Sequence, residues 1–401
     1  MAKNENGVQI LQAVEESDHF VIGIHGYFGQ RNRGDDAILK SMISNIEKVT
    51  NYPTFFVFSS YPKRVDVGDN IHGVDDHVSN LRNLISLFHS INCLDILIIG
   101  GGGLFFDSYD RFIPRDIIRW SKLAFIARLL RKPVLGYGLG LGPISGKFGR
   151  CIAKFTLNNF HSIVVRDPQS QELLSELNVT KPKIIRSADL AILLDRPTTP
   201  SKRIEELIAT LPQNRPLVGL SIRDCTGLID GPESLYLRLA EIADDLIDAG
   251  VHPVFIPFGF GKVTDGIAAL NISKLMKNKS GFTILPVDHL LTVDELLTLF
   301  WHFDFHICMR LHSAIFSAIA GKPFIALSYD PKVRQFANGI GMNEYCIDIN
   351  DLSREEVRSK FDSLMKNQYE VSRTINKKVL ELRNSVLENS SIVVKILLER
   401  K

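Results

Sequence analysis

The sequence is poor in the features that would assign it to a specialised class of protein. Only five of its 401 residues are cysteine, they are widely separated, and no Cys-x-x-Cys pair occurs. An odd number of scattered cysteines argues against a disulfide framework and against a zinc site. We therefore expect no bound metal, and a reducing cytosol fits this composition best.

The chain also lacks a strong net charge and a long hydrophobic run. Its 47 basic and 45 acidic side chains leave a formal net charge of +2 at pH 7, too little to indicate nucleic-acid binding. The amino terminus lacks the layout of a secretory signal, and no run reaches the roughly 18 apolar residues of a spanning helix. We expect a cytoplasmic protein, soluble or attached peripherally at the inner face of the cell membrane.

Apolar residues, in contrast, are abundant enough for a large core, at 45% of the chain against 23% charged residues. At this length two domains are expected. Short β-rich apolar runs alternate with helical patterns in both halves, which predicts parallel sheets covered by helices. We predict an α/β protein with two Rossmann-like domains facing each other across a cleft.

Two stretches rich in proline, at residues 194–202 and 212–216, interrupt this alternation. They place an amino-terminal domain at residues 1–195, a linker at 196–216 and a carboxyl-terminal domain at 217–370. A helix is predicted at 371–401. The sequence leaves the oligomeric state open.

The segment Ile-Cys-Met-Arg-Leu-His-Ser at residues 307–313 is the most informative in the chain. It closes an apolar run and opens a helical one, so that Arg310 and His312 lie at a strand-to-helix junction. Phosphate chemistry with proton transfer uses such a pair of side chains. Tyr329 and Lys332 follow in the same βαβ-sized block, and we expect these groups to converge on one anion.

Arg223 ends another predicted strand of the second half and is expected beside Arg310. Two guanidinium groups suit a doubly anionic small molecule, because each binds a carboxylate or phosphate in a bidentate way. The residues alone leave alternatives open: Arg223 also suits an ion pair with Asp224, and His312 also suits a helix N-cap or a buried hydrogen-bonded histidine.

Three predicted strand ends of the first half are rich in glycine, at residues 26–37, 100–107 and 136–143. Glycine permits left-handed backbone and close approach to a ligand, although an ordinary turn remains an alternative at each place. The first loop is not G-x-G-x-x-G, which disfavours NAD binding. We expect these ends to form one rim of the cleft, on the acceptor side, with the candidate residues Gly29, Asn32, Asp35, Gly101, Gly102, Asp107 and Gly140.

A basic run from Arg111 to Lys132 is interleaved with apolar residues that include Trp120. This pattern is typical of a helix that lies at a membrane interface. A helix that covers the sheet and exposes a basic outer face also explains it, and both descriptions can hold together.

Taken in order, several segments resemble the polysaccharide pyruvyltransferase family, which includes exopolysaccharide and cell-wall pyruvyltransferases. The matching stretches are Gly26-x-x-Gly29-x-x-Asn32-x-Gly34-Asp35, Ile98-Ile-Gly-Gly-Gly-Gly-Leu104, Gly138-x-Gly140-x-Gly142-Pro143, Val165-Arg166-Asp167, Asp189, Met309-Arg310-Leu311-His312-Ser313 and Tyr329-Asp330-x-Lys332. The resemblance implies a fold like the GT-B glycosyltransferases. It also implies phosphoenolpyruvate as co-substrate, without a further cofactor, and a sugar of a polysaccharide or lipid-linked glycan as acceptor.

Carried over to this sequence, the family's Arg-Leu-His falls on Arg310, Leu311 and His312, with Arg310 binding the donor and His312 acting as acid and base. Arg223 matches a second donor-binding arginine, and we count Lys332 with the donor site. The implied reaction is a transfer of pyruvate that forms a cyclic ketal and releases phosphate. The alternatives are a nucleotide-sugar glycosyltransferase of the same fold and a non-catalytic partner in glycan assembly.

Overall fold

The structure is a computed structural model that describes residues 19–65, 68–107, 113–224, 232–259, 265–286 and 291–399. The described chain divides into two compact units. Unit 1 draws on Met1–Gln30, Asp35–Leu193 and Leu382–Lys401, and unit 2 on Arg31–Gly34 and Leu194–Glu381. Arg111, the first residue of the predicted basic run, lies outside the described residues.

Unit 1 is built on a seven-stranded sheet in the order β3-β2-β1-β4-β5-β6-β7. All its pairings are parallel. The strands are β1 (Val21–His25), β2 (Thr54–Ser59), β3 (Ile71–Asp75), β4 (Ile96–Leu104), β5 (Val134–Leu141), β6 (Ser162–Val165) and β7 (Lys183–Arg186). The helices between them are α1 (Arg33–Glu47), α2 (Leu81–Asn92), α3 (Arg115–Leu129), α4 (Lys147–Leu157) and α5 (Pro168–Glu176).

Unit 2 contains a six-stranded sheet in the order β10-β9-β8-β11-β12-β13, again with parallel pairings throughout. The strands are β8 (Leu217–Ser221), β9 (His252–Phe255), β10 (Thr283–Ile284), β11 (Phe305–Cys308), β12 (Phe324–Ser328) and β13 (Cys346–Asp348). The helices are α6 (Lys202–Ala209), α7 (Pro232–Asp248), α8 (Asp265–Leu275), α9 (Val293–His302), α10 (Leu311–Ile319), α11 (Pro331–Gly339) and α12 (Arg354–Lys366). Helix α13 (Gln368–Leu398) follows.

The central strands form where the sequence is continuously apolar, because helices cover both faces of a parallel sheet. Every residue of β5 and of β8 is buried, as is nearly all of β4. Polar residues then set where helices begin: Asp167 caps α5, Thr292 forms a capping box with Glu295 at α9, and Asp330 caps α11. The two parallel-sheet α/β units confirm the predicted fold class.

Three strands escape the sequence prediction, and all three lie at sheet edges. In β3 and β7 no residue is buried, and β13 is only three residues long. A strand with one side open to solvent does not need a continuous apolar run, so its sequence signal is weak.

The structure also changes two predicted segments. The stretch predicted as a linker, residues 196–216, contains helix α6 and belongs to unit 2, where Ile204 is buried and Ser201 Oγ donates to Glu295 (2.8 Å). The predicted terminal helix begins at Gln368, and its residues from Leu382 onward belong to unit 1. Prolines around α6 obscured its helical period, since proline is compatible with a helix start but also typical of loops.

Candidate functional site

The candidate site of unit 2 lies at the carboxyl ends of four neighbouring strands, β9, β8, β11 and β12. Parallel strands end at the same edge of a sheet, so the residues that follow them are brought together. The backbone N–H of Met309 donates to Ser221 O (2.9 Å), and the N–H of Arg223 contacts Met309 Sδ (3.4 Å). Arg223 and Arg310 therefore follow adjacent strand ends, as predicted.

Arg310 is held in a bidentate ion pair with Asp265, the first residue of α8. Its Nε donates to Oδ2 (2.6 Å) and its Nη2 to Oδ1 (2.5 Å). Asp265 Oδ2 also accepts from the backbone N–H groups of Phe258 and Gly259, each at 2.9 Å. Asp265 is buried, whereas the Arg310 side chain keeps 18% of its surface exposed. The pair fixes the orientation of the guanidinium without sealing it from solvent.

Gly259 makes room for this arginine. A Cβ at Gly259 would overlap the Arg310 guanidinium, so no other residue fits here without moving Arg310. Gly259 thus allows the loop after β9 to lie against Arg310, at the helix start after β11.

His312 occupies the second position of α10, one residue beyond Leu311 and two beyond the N-cap Arg310. The side chain is half-buried, and Leu311 is buried. Ser313 is buried beside it and donates from Oγ to Arg310 O (2.7 Å). The first turn of a helix presents unpaired N–H groups and the positive end of the helix dipole, an arrangement that favours an anion.

Residues 31–34 of the first glycine-rich loop belong to unit 2 rather than to unit 1. Asn32 forms an antiparallel bridge with Gly259, and the N–H of Arg33 donates to Phe258 O (3.1 Å). A Cβ at Gly34 would overlap the His312 imidazole. Asn32, predicted on the acceptor side, thus lies in the unit that carries Arg310 and His312, and its role in the site stays a prediction.

Arg223 has a partner other than the one considered from the sequence. Its Nη1 donates to the Tyr329 hydroxyl (2.6 Å), and its guanidinium carbon lies 4.9 Å from the centre of the Tyr329 ring. Asp224 accepts instead from the Tyr236 hydroxyl (2.8 Å). The guanidinium of Arg223 is thus directed toward the end of β12.

Lys332 lies in the first turn of α11, and its Nζ is 2.9 Å from Asp330 Oδ2. Asp330 is the N-cap of the same helix and accepts from the N–H of Lys332 (3.1 Å). The Lys332 side chain is 37% exposed, so the ion pair is open to solvent and its energy is screened.

Cys308 is the one nucleophilic side chain in the segment 307–313 besides Ser313. It is fully buried at the end of β11, and burial raises the pKa of its thiol, even with a hydrogen bond from Ser313. A thiolate there is not available for catalysis at neutral pH.

In unit 1, an arginine also lies at the carboxyl end of a strand, but its side chain is buried. Arg166 follows β6, its side chain is only 7% exposed, and its Nη1 donates to Asp189 Oδ2 (2.8 Å). Burial alone would lower the pKa of Arg166, but Asp189, Asp167 and, to a smaller degree, Asp35 raise it. This edge carries more carboxylates than cations.

The glycine-rich strand ends of unit 1 are explained by packing within that unit. A Cβ at Gly140 would overlap the Arg166 guanidinium, and one at Gly101 would lie 2.7 Å from the Ile38 side chain. Gly101 and Gly102 have φ of +75° and +121°, and Gly29 has +72°. These glycines therefore adopt the left-handed backbone that glycine permits. Asp35 is buried, and its Oδ1 would lie 3.1 Å from a Cβ at Gly102.

Asp107, predicted to bind the acceptor, makes hydrogen bonds that stabilise the fold. It is 8% exposed, and its two carboxylate oxygens accept from the N–H groups of Ser145 and Gly146, each at 2.8 Å. Gly146 is the N-cap of α4 and has no side chain of its own, so Asp107 caps this helix from a distance in sequence.

The basic run on α3 is only partly solvent-facing. Arg119 donates from Nε (3.0 Å) and Nη2 (2.7 Å) to Asp76 Oδ2, and Lys122 Nζ bonds the Asp76 carbonyl. His25 Nε2, fully buried, lies 3.1 Å from the same carboxylate oxygen. Trp120 is fully buried. Arg119, Lys122 and His25 therefore form a partly buried network around Asp76, and Trp120 is buried nearby, while attachment of the basic run to a membrane interface stays a prediction.

The titration of this network follows from its burial. Burial lowers the pKa of His25 despite the neighbouring carboxylate, so the imidazole is neutral at pH 7. Burial alone would raise the pKa of Asp76, but the hydrogen bond from His25 and the charge of Arg119 lower it overall. Among the described residues, Asp75, Asp76 and His77 also bring ligand atoms within 4.8 Å of one another, although Asp76 Oδ2 is already bonded to Arg119.

Asp265 is the principal site residue that sequence reasoning missed. Its only local signal is an acid that opens a helix after a glycine-containing strand end. Its partner Arg310 lies 45 positions away, and no periodicity in the chain links the two.

Comparison with known proteins places the chain beside enzymes of glycan synthesis. The family model described as polysaccharide pyruvyl transferase matches residues 32–331. The amylovoran biosynthesis protein AmsJ of Erwinia amylovora is 24% identical over 302 residues, which cover 72% of this chain and 70% of that protein.

Two solved structures share the fold. A UDP-GlcNAc 2-epimerase from Neisseria meningitidis bound to UDP-GlcNAc matches with a TM-score of 0.61 at 14% identity, covering 95% of this chain and all of that one. Anabaena Alr3699/HepE in complex with UDP-glucose gives 0.61 at 12% identity, covering 96% and 100%. These identities establish a GT-B-like fold and nothing about ligands. In the part of the chain that the structure describes, no helix is long and apolar enough to span a membrane.

Proposed function

The chain belongs to the polysaccharide pyruvyl transferase family, and from this premise we propose that it transfers pyruvate from phosphoenolpyruvate to a glycan sugar, forms a cyclic ketal and releases phosphate. The acceptor is a sugar of a polysaccharide or of a lipid-linked oligosaccharide, and the reaction takes place in the cytoplasm. The relative AmsJ, named for biosynthesis of amylovoran, supports an acceptor of this class.

The observation that carries the proposal is the group of cations at the carboxyl edge of unit 2. Arg223, Arg310 and Lys332 lie there, and Arg310 is fixed by Asp265 while part of its side chain stays exposed. The dipole of α10 adds further positive potential at the start of that helix. Such an edge suits a small molecule that bears both a carboxylate and a phosphate.

The transfer proceeds in balanced steps. A proton adds to the methylene carbon C3 of phosphoenolpyruvate, which leaves C2 as an electrophilic oxocarbenium ion. A sugar hydroxyl adds to C2 and loses its proton, and the C2–O bond to phosphate breaks. A second hydroxyl of the same sugar then adds to C2 and loses its proton. The two hydroxyl protons thus balance the one bound at C3 and the one carried away by phosphate.

In this scheme His312 delivers the proton to C3 and accepts one from a hydroxyl, since a histidine exchanges protons near neutral pH. Arg310, held by Asp265, and Arg223, held by Tyr329, bind the carboxylate and the departing phosphate. Fixed orientation matters because preorganised donors stabilise developing charge without reorganising during the reaction.

A thermal-shift comparison tests the donor. Phosphoenolpyruvate should raise the melting temperature, whereas UDP-glucose at the same concentration should not. Arg223→Ala should abolish most of the shift, and Arg373→Ala, an exposed arginine on α13 of the same unit, should retain it.

The two alternatives give different results in the same assay. Stabilisation by UDP-glucose alone would indicate a nucleotide-sugar glycosyltransferase and contradict the proposal. Stabilisation by neither ligand, with no phosphate released from phosphoenolpyruvate in the presence of glycan, would indicate a non-catalytic partner.

A further inference from the structure

The outer face of unit 1 formed by α3 and α4 exposes large apolar side chains in helical register. On α4, Phe148 and Phe155 are 56% and 58% exposed. On α3, Ile118, Phe125 and Leu129 are 40–57% exposed and recur at a spacing of seven and then four residues. Single exposed apolar residues are ordinary, but a contiguous group on two packed helices marks an interaction surface.

A groove of about 290 Å³ runs between these helices. Its walls are mainly apolar, supplied by Ile118 and Phe125 from α3 and by Ile152 and Phe155 from α4, while Arg128 lies at its margin. We call the groove and its exposed aromatic rim the α3–α4 face.

The charge on α4 itself has one sign, although Arg150 pairs with Glu176 of α5. Helix α4 carries Lys147, Arg150 and Lys154 and no acidic residue, and Lys147 and Lys154 are exposed. The one acid on α3, Asp116, accepts a hydrogen bond from the Tyr27 hydroxyl (2.9 Å). Exposed aromatic residues bordered by lysines have the composition of helices that lie at the boundary between lipid headgroups and acyl chains.

We propose that the α3–α4 face docks onto an anionic lipid surface, with Phe125, Phe148 and Phe155 entering the interface and Lys147 and Lys154 contacting the headgroups. This docking site differs from the one that the basic run alone indicated, because Arg119 and Lys122 are committed to Asp76. It goes beyond the transfer reaction and does not depend on it.

A bilayer fits this face better than a second copy of the chain does. In a symmetric dimer the same patch meets itself, so the patch that carries Lys147 and Lys154 would meet an equally basic patch of the other copy. Like charges placed together oppose association, whereas a bilayer containing phosphatidylglycerol supplies the opposite charge.

Co-sedimentation with vesicles tests the proposal. The full chain should bind vesicles of phosphatidylcholine that contain phosphatidylglycerol at low salt, and should bind pure phosphatidylcholine weakly. Phe125→Ser/Phe155→Ser and Lys147→Glu/Lys154→Glu should each weaken binding at least about tenfold. All four side chains are exposed, so the variants should fold, which circular dichroism checks.

Matched controls lie elsewhere in unit 1. Leu81→Ser/Ile85→Ser removes two exposed apolar side chains from α2, and Lys48→Glu/Lys395→Glu reverses two exposed lysines. Both controls should bind vesicles like the unmodified chain. Equal losses in the controls, or no vesicle binding by the unmodified chain at low salt, would overturn the proposal.

Two further measurements distinguish docking to lipid from a contact between copies of the chain and from a role of this face in the reaction. If analytical ultracentrifugation showed a dimer that Phe125→Ser/Phe155→Ser dissolves, the face would be a contact between copies instead. The docking variants should keep normal phosphate release from phosphoenolpyruvate with a water-soluble glycan acceptor. A loss of turnover equal to the loss of vesicle binding would show that the face serves the reaction and not the lipid surface.

Discussion

The carboxyl edges of the two parallel sheets use arginine in opposite ways. In unit 1, Arg166 is almost fully enclosed and is bordered by Asp189 and Asp167. In unit 2, Arg310 is braced by Asp265 and remains partly open, and Lys332 is more exposed still. The same strand-end position therefore holds an enclosed arginine in unit 1 and a partly exposed arginine in unit 2.

The difference matters because a buried pair and an open one respond differently to substitution. A buried charge that loses its partner destabilises the fold by several kcal/mol. A solvent-exposed cation contributes little to the free energy of unfolding, so its charge is available to bind a ligand. Substitutions at the edge of unit 1 should therefore lower stability first, and those at the edge of unit 2 should lower donor binding or turnover first.

The largest effect is expected for a substitution of His312, which should change the rate of the reaction rather than the stability of the fold. His312→Gln should lower kcat by about 10² to 10⁴-fold, the usual contribution of a positioned general acid or base. The melting-temperature increase with phosphoenolpyruvate should persist. Phosphate release with a glycan acceptor measures kcat, and a variant with near-normal release would remove His312 from the proton transfer.

The next largest effect should appear in unit 1. Arg166→Ala leaves Asp189 and Asp167 without their cation and opens a space beside Gly140. The free energy of unfolding should fall by about 3 kcal/mol. Urea denaturation followed by circular dichroism measures this loss.

Phosphoenolpyruvate should still stabilise the folded Arg166→Ala protein. Arg223→Ala provides the matched case in unit 2, where we expect the reverse result: little change in urea stability and loss of the donor response. If the two variants behaved alike, the contrast between the edges would be wrong.

Acid should destabilise both units through buried neutral histidines. Burial lowers the pKa of His25 in unit 1, and burial together with the charge of Lys322 holds the pKa of His306 in unit 2 well below 6.5. The unfolded chain binds protons at these residues below about pH 6.5, but the folded chain does not. The stability is thus complete above that pH and is lost as the pH falls.

Each histidine should contribute a slope of up to about 1.4 kcal/mol per pH unit below 6.5. His306→Gln should flatten the dependence measured by urea denaturation between neutral and mildly acid pH. The exposed His72 gives the control variant His72→Gln, which should leave the slope as it is. If the slope were unchanged in His306→Gln, the imidazole of His306 would take up its proton at the same pH in the folded chain as in the unfolded chain.

The smallest effect is expected at Asp107. Asp107→Asn keeps one acceptor for the N–H groups of Ser145 and Gly146 and loses the charged one, so α4 should be destabilised by about 1 kcal/mol. Donor stabilisation should be unchanged. If the fold kept its full stability while transfer to the glycan failed, Asp107 would contact the acceptor as the sequence first indicated.

Much of the architecture could be predicted from the sequence because its signals are local. The alternation of apolar runs and helical patterns identified the buried strands, and the junction after Cys308 was placed between β11 and α10, where the structure has it. The edge strands β3 and β7 were missed because exposure removes the apolar run on which the prediction depends, and β13 was missed because it is only three residues long.

The candidate site was predicted only in part. Arg310, His312, Arg223 and Lys332 carry a recognisable local pattern, and the structure brings the segments that bear them to one edge. The role of each polar partner was not predictable, because Asp265 and Tyr329 reach their arginines from 45 and 106 positions away. The catalytic and binding roles of Arg310, His312, Arg223 and Lys332 stay predictions.

By itself, the sequence determined the fold class, the order of the strands in the chain and the segments that bear the donor-site cations, because hydrophobic period and motif spacing are properties of neighbouring residues. Only the tertiary structure decided which cations are enclosed and which are open. Arg166 follows a strand as Arg310 does, but its burial comes with Asp189, a carboxylate that folding brings from a distant position. The energy of a charge depends on burial and on partners, and neither is written in the local order of residues.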